Sequence, residues 1–169
     1  MYFTWEKIVL ILIAILGGLY DLKFRKIPNW LTFGTFIFIL VLRIFFFKNF
    51  NLVIDSTFGF FIGITLLIIP YIFGGMGAGD VKFLGAIGSI VGVKNIVYVF
   101  FYSALSGLVL GLIWLMFNPE RLKFLITTGH ILPTVDNKQK IPYGIAISLG
   151  TLIYIVFGSN IFFSILLLK

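Results

Sequence analysis

The sequence predicts an all-α, polytopic membrane protein with about six spanning helices, folded as one domain over residues 1–169. Three observations predict it. Hydrophobic residues make up 60% of the chain, and the mean hydropathy is +1.14. Charged residues make up 11%, against about 25% in soluble domains. The apolar residues also come in runs near the length of about 20 that crosses a bilayer as a helix. A soluble chain of this size cannot hide so much apolar surface, so lipid must be part of its solvent.

The spans read as Tyr2–Tyr20, Trp30–Phe47, Leu52–Phe73, Val81–Val93, Asn95–Phe117 and Ile141–Leu168. The first lacks a basic start and a small-x-small cleavage site, so it reads as a span and not as a signal peptide. The second carries Arg43 near its end, and the short fourth is rich in glycine (Gly85, Gly88, Gly92). Parity places the gaps after spans one, three and five on one side. That side carries Lys23, Arg25, Lys26, Lys82, Arg121, Lys123, Lys138 and Lys140. The other carries Lys7, Arg43, Lys48, Lys94 and Lys169. Eight cations against five put the first side in the cytoplasm. The long gap Asn118–Lys140 then lies in the cytoplasm, and its Asn-Pro-Glu start and Gly129 fit either a short surface helix or an ordinary loop.

The net charge of +7 does not point to nucleic acid, because the basic residues sit at span ends and form no stripe. With no cysteine and one histidine, thiol nucleophiles, zinc thiolate sites and multi-histidine metal sites are excluded. No cofactor or metal is expected.

Two carboxylates remain for chemistry. Asp21 ends span one, and Asp80 opens span four behind Gly74, Gly75, Gly77 and Gly79. Two spans separate them, so they share one membrane face. Acids at the edge of hydrocarbon are costly and tend to be functional. Either could instead be a solvated helix-end acid paired with a nearby Lys or Arg. Glycine allows positive φ and close backbone approach, so the Gly-x-Gly-Asp turn would set Asp80 at a tight corner with room for an extended peptide. The glycine loop lacks a Gly-Lys-Ser/Thr ending, and its aspartate would repel a phosphate. If the acids meet within a few ångströms they cannot both ionise and share one proton. One then takes a proton from water while the other polarises a peptide carbonyl.

At these residues the chain resembles the type IV prepilin peptidases, membrane aspartyl proteases of the Gly-x-Gly-Asp class. Asp21 followed by Pro28-Asn29 and Leu31-Thr32 resembles the family's first motif. Gly77-Ala78-Gly79-Asp80-Val81-Lys82 resembles the second, and Ile141-Pro142-Tyr143-Gly144 resembles a third, weaker one. The resemblance implies that Asp21 and Asp80 are a catalytic dyad. They would cut the short basic leader from prepilin-like precursors at the cytoplasmic face, before the precursor's hydrophobic helix. Larger members carry an extra cytoplasmic segment near the N-terminus, often with paired cysteines, and methylate the new N-terminus. This chain looks like the short, peptidase-only branch of Tad/Flp pili or of archaeal preflagellin peptidases. No methyltransferase activity is expected.

Around the dyad, Lys82 reads either as a group tuning its charge or as an anchor to lipid phosphate. Pro28 reads as a first-turn residue of span two, and Asn29 as a local cap or a partner near the dyad. Pro142 reads as the initiator of span six, Gly144 as an aid to close packing and Tyr143 as an interfacial anchor. Lys23, Arg25 and Lys26 read as anchors to anionic lipid, while Glu6, Asp55 and His130 read as solvated or loop residues. The partners expected are a prepilin-like substrate and membrane lipid. The main alternative function is a small ion- or proton-coupled transporter using the same two aspartates. Transport sites usually lie near the bilayer midplane, away from the edge where these acids fall.

Overall fold

A computed structural model describes residues 4–73, 75–117 and 143–158. Within them the chain forms five helices: α1 (Thr4–Phe24), α2 (Asn29–Phe45), α3 (Phe50–Ile72), α4 (Ala78–Met116) and α5 (Tyr143–Phe157). No strand occurs among the described residues. The expected surface segment Asn118–Lys140, His130 and Pro142 lie outside them.

α3 and α4 are long and apolar enough to cross a membrane. Large apolar side chains also face outward, including Leu12, Leu19, Ile37, Phe38, Phe58, Phe61, Ile72 and Leu108. An apolar surface of this extent would drive association in water.

The expected fourth and fifth spans are one element, α4, broken at Gly92 (φ 76°, ψ 175°). A straight helix of that length would be about 58 Å long at 1.5 Å per residue. The chain doubles back instead. A Cβ built at Gly88 would stand 3.3 Å from Ile96 Cδ1, although residues eight apart in a straight helix lie about 12 Å apart along its axis. Gly92 alone of the α4 residues takes a positive φ, a conformation that costs glycine little. α4 is therefore a hairpin of two arms.

Such a break leaves backbone groups without helical partners, and charged side chains from other helices supply them. Asp55 Oδ1 accepts the Val93 N–H (3.0 Å) at the start of the second arm. Arg43 Nη2 donates to the Ile90 carbonyl (3.0 Å) at the end of the first. Arg43 also donates to Glu6 Oε1 (2.9 Å), the Leu52 carbonyl (2.8 Å) and Ser56 Oγ. Glu6 and Arg43 are 6% and 3% exposed. The expectation that Glu6 and Asp55 are solvated is thus wrong: the break in α4 recruits both, Asp55 directly and Glu6 through Arg43. Replacing Arg43 with Met strands the Glu6 carboxylate, a cost of about 3–5 kcal/mol. The expected result is a clear fall in the thermal midpoint in detergent, partly recovered in the Glu6→Met/Arg43→Met double variant.

The first arm of α4 lies in the core, with Phe83, Leu84, Ile87 and Ile90 at 1% exposure or less. Along α3 the backbones nearly touch: a Cβ at Gly63 would fall 2.7 Å from the Leu84 carbonyl oxygen. α1 reaches α4 and α5 through Gly17 and Gly18, where added Cβ atoms would strike the Phe83 ring and, at 2.9 Å, Ser148 Oγ. These contacts fall just before Asp21 and fix the end of α1 that carries it.

Candidate active site

Three helix ends meet where Asp21 and Asp80 lie: the last turn of α1, the first turn of α4 and the first turn of α5. α1 runs on to Phe24, beyond the expected end at Tyr20, so Asp21 is held on a helix and not on the turn after it. Asp21 is 4% exposed. The turn is made by Arg25 at φ 51°, and α2 begins after Pro28. Pro28 is the residue before the first helical turn, with extended backbone (φ −71°, ψ 146°). It thus lies one position earlier than expected.

Asp80 occupies the third position of α4 and is 8% exposed. Its Oδ2 accepts the backbone N–H of Gly77 at 3.0 Å, closing the helix start as a capping box does. Gly77 itself is extended (φ −87°, ψ 153°). Neither it nor Gly79 takes a positive φ, contrary to the first of the two uses expected of these glycines. The second use holds at Gly79: a Cβ there would press on Ile27, 3.4 Å from its N and 3.5 Å from its Cβ. The turn between α1 and α2 lies directly on the start of α4. Lys82 and Asn29 fasten the same junction, with Lys82 Nζ donating to Asn29 Oδ1 (3.2 Å) and lying 5.3 Å from the centre of the Phe33 ring. Asn29 is therefore not a local cap. Its side chain ties α2 to α4.

The decisive residue is Gly144. It lies in the first turn of α5, against Asp21, and its backbone N–H lowers the cost of charge on both acids, as the Ile145 N–H does for Asp21 and the Gly77 N–H for Asp80. A Cβ at Gly144 would stand 2.7 Å from Asp21 Oδ2 and 2.9 Å from its Cβ and Cγ. Only a residue without a side chain leaves Asp21 that space. Among the described residues, buried Asp21 Oδ2 has no hydrogen-bond partner. The Asp21 charge acts on Asp80, and Arg25 acts on Asp21. Among the described residues no group of three or more histidines, cysteines or carboxylates gathers that could hold a metal ion.

Both acids are thus buried, and the charge of one acts on the other. A model of the type IV leader peptidase family matches residues 8–112, a stretch that contains both acids. The chain belongs to that family. It is also 26% identical, over 163 residues, to a prepilin leader peptidase/N-methyltransferase of Bacillus subtilis (strain 168). The alignment covers 93% of this chain and 57% of that relative, so the chain spans little more than half of the relative's length. No solved structure matches it.

Sequence reasoning had missed part of this junction. Tyr143 was expected at the membrane interface, yet it is half-buried and feels the Asp80 charge. Gly144 was expected to aid helix packing, and what it admits is the Asp21 side chain. The signal was the Ile-Pro-Tyr-Gly run, whose glycine sits beside an aromatic at a helix start. Gly17 and Gly18, which bring α1 onto α4 and α5, were not singled out at all.

Proposed function

We propose that this protein is a multi-pass membrane aspartyl endopeptidase. It removes the short basic leader from prepilin-like precursors, at the cytoplasmic face, by water activated between Asp21 and Asp80. The observation that carries the reading is the burial of both carboxylates at one junction of helix ends, where Gly144 closes on Asp21 and the Asp21 charge acts on Asp80. Family membership supports the substrate class. Burial of both acids supports catalysis over solvation, because a desolvated pair holds its shared proton where it can be handed to a reactant.

The ionised member of the pair takes a proton from water as its oxygen adds to the scissile carbonyl carbon. The protonated member gives its proton to the carbonyl oxygen. The proton taken from water then passes to the amide nitrogen, the C–N bond breaks, and the carbonyl re-forms as one of the two hydroxyls of the tetrahedral intermediate returns its proton to the dyad, leaving a new carboxylic acid. The dyad ends as it began, with one proton. No methyl transfer is part of this reading.

In this reading α1, α2, α3, the two arms of α4, and α5 are the six crossings. The dyad lies at the end where Lys23, Arg25, Lys26 and Lys82 gather, which the positive-inside rule assigns to the cytoplasm.

The test is to incubate the purified protein with a peptide carrying a basic prepilin leader followed by its hydrophobic helix, and to weigh the products. The expected products are the free leader and a helix peptide with an unmethylated amino terminus, the latter also in the presence of a methyl donor. An intact peptide, together with ion flux in proteoliposomes, would contradict the reading and favour transport.

A further inference from the structure

We infer that Tyr143 is a positioning residue for the Asp80 side of the dyad, an inference that rests on the proteolytic reading above. Tyr143 opens α5 directly before Gly144, so the same turn that closes on Asp21 also carries this phenol. Its ring lies against Gly107 in the second arm of α4. A Cβ at Gly107 would come 2.7 Å from Tyr143 Cε2 and 3.3 Å from Cζ and Oη. That glycine is a notch that holds the ring in one place. Tyr143 is half-buried, and the Asp80 charge acts on it.

The Asp21 carboxylate from α1, the Gly77 N–H from the start of α4 and the Gly144 N–H from α5 act on Asp80, and the Asp80 charge in turn acts on the Tyr143 phenol. The two acids carry the proton chemistry and the two amides are fixed. Tyr143 supplies a neutral hydroxyl that can both donate and accept, mounted on a rigid aromatic stem. A group of that kind beside a carboxylate orients the water or peptide oxygen that the carboxylate handles, without altering the charge of the pair. Good orientation of a reactant raises turnover and leaves binding of the leader unchanged.

A merely structural tyrosine would fill the Gly107 notch with its ring and use its hydroxyl for nothing. Two variants separate these roles. Tyr143→Phe keeps the ring in the notch and removes the hydroxyl. Gly107→Ala keeps the hydroxyl and pushes the ring out of place. The expected result is a fall in kcat of about tenfold in each, with KM unchanged and, for Tyr143→Phe, the thermal midpoint unchanged. The double variant should lose little more than the worse single one. Wild-type kcat in Tyr143→Phe overturns the inference. So does full additivity in the double variant, which would mean that Gly107→Ala acts by another route. The parallel assays of the unaltered protein and of Asp80→Asn keep the two readings apart. Leader removal by the former and none by the latter upholds the dyad, whatever Tyr143→Phe does. Absence of leader removal by the unaltered protein overturns both.

Discussion

Asp21→Asn and Asp80→Asn are each expected to lower kcat for leader removal by at least about 10³-fold, with the fold intact. The physical reason is the single proton the pair must hold. An asparagine matches aspartate in shape and can still accept the Gly77 or Gly144 amide, so the helix ends stay where they are. It cannot take a proton from water or give one to a carbonyl. Both acids are nine-tenths or more buried, and a buried neutral amide costs less than a buried charge. Each variant should therefore melt no lower than the parent protein. Single-turnover cleavage of a leader–helix peptide, read beside thermal unfolding in the same detergent, checks both halves of the prediction. Retention of a tenth of the parent rate by either variant would mean that the altered acid lies outside the chemistry.

The second large effect is expected at a residue with no side chain. Gly144→Ala should lower kcat by about 10²-fold or more, because it moves Asp21 relative to Asp80. The added Cβ would lie 2.7 Å from Asp21 Oδ2, well inside van der Waals contact, and the neighbouring Asp21 Cβ and Cγ at 2.9 Å leave no direction of easy escape. The Asp21 side chain is short, and α1 is pinned at Gly17 and Gly18, so the carboxylate must rotate away or α5 must shift. Gly34→Ala and Gly111→Ala are the controls. Nothing lies within 4 Å of a Cβ at either position, and both should cleave at the parent rate. Equal activity in Gly144→Ala and the controls would show that the close approach of α5 to Asp21 is not needed.

Much of this molecule was legible in its sequence because lipid simplifies the pattern. Apolar runs announce helices by length alone, and parity then places Asp21 and Asp80 at one end without any knowledge of packing. The glycines before Asp80 were legible as a site of close approach, and Gly79 against Ile27 bears that out. Other features depend on long-range contacts that no local pattern carries. Glu6 and Arg43 looked like ordinary charges near span ends, and their pairing across 37 positions of sequence shows only once the helices assemble. Gly92 was one of several glycines in the fourth span, and its positive φ follows from Asp55 and Arg43 standing ready to satisfy the broken backbone. Tyr143 could not be told from an interfacial anchor, since both roles place a tyrosine at a helix start.

The joint action of the two acids is tested most directly by the Asp21→Asn/Asp80→Asn double variant, compared with each single one in kcat/KM for the leader–helix peptide. Groups that work as one unit are strongly non-additive. The double variant is therefore expected to retain the same residual rate as either single variant. A loss in the double variant equal to the product of two separate partial losses would show two acids working independently, and would contradict a dyad that shares its proton.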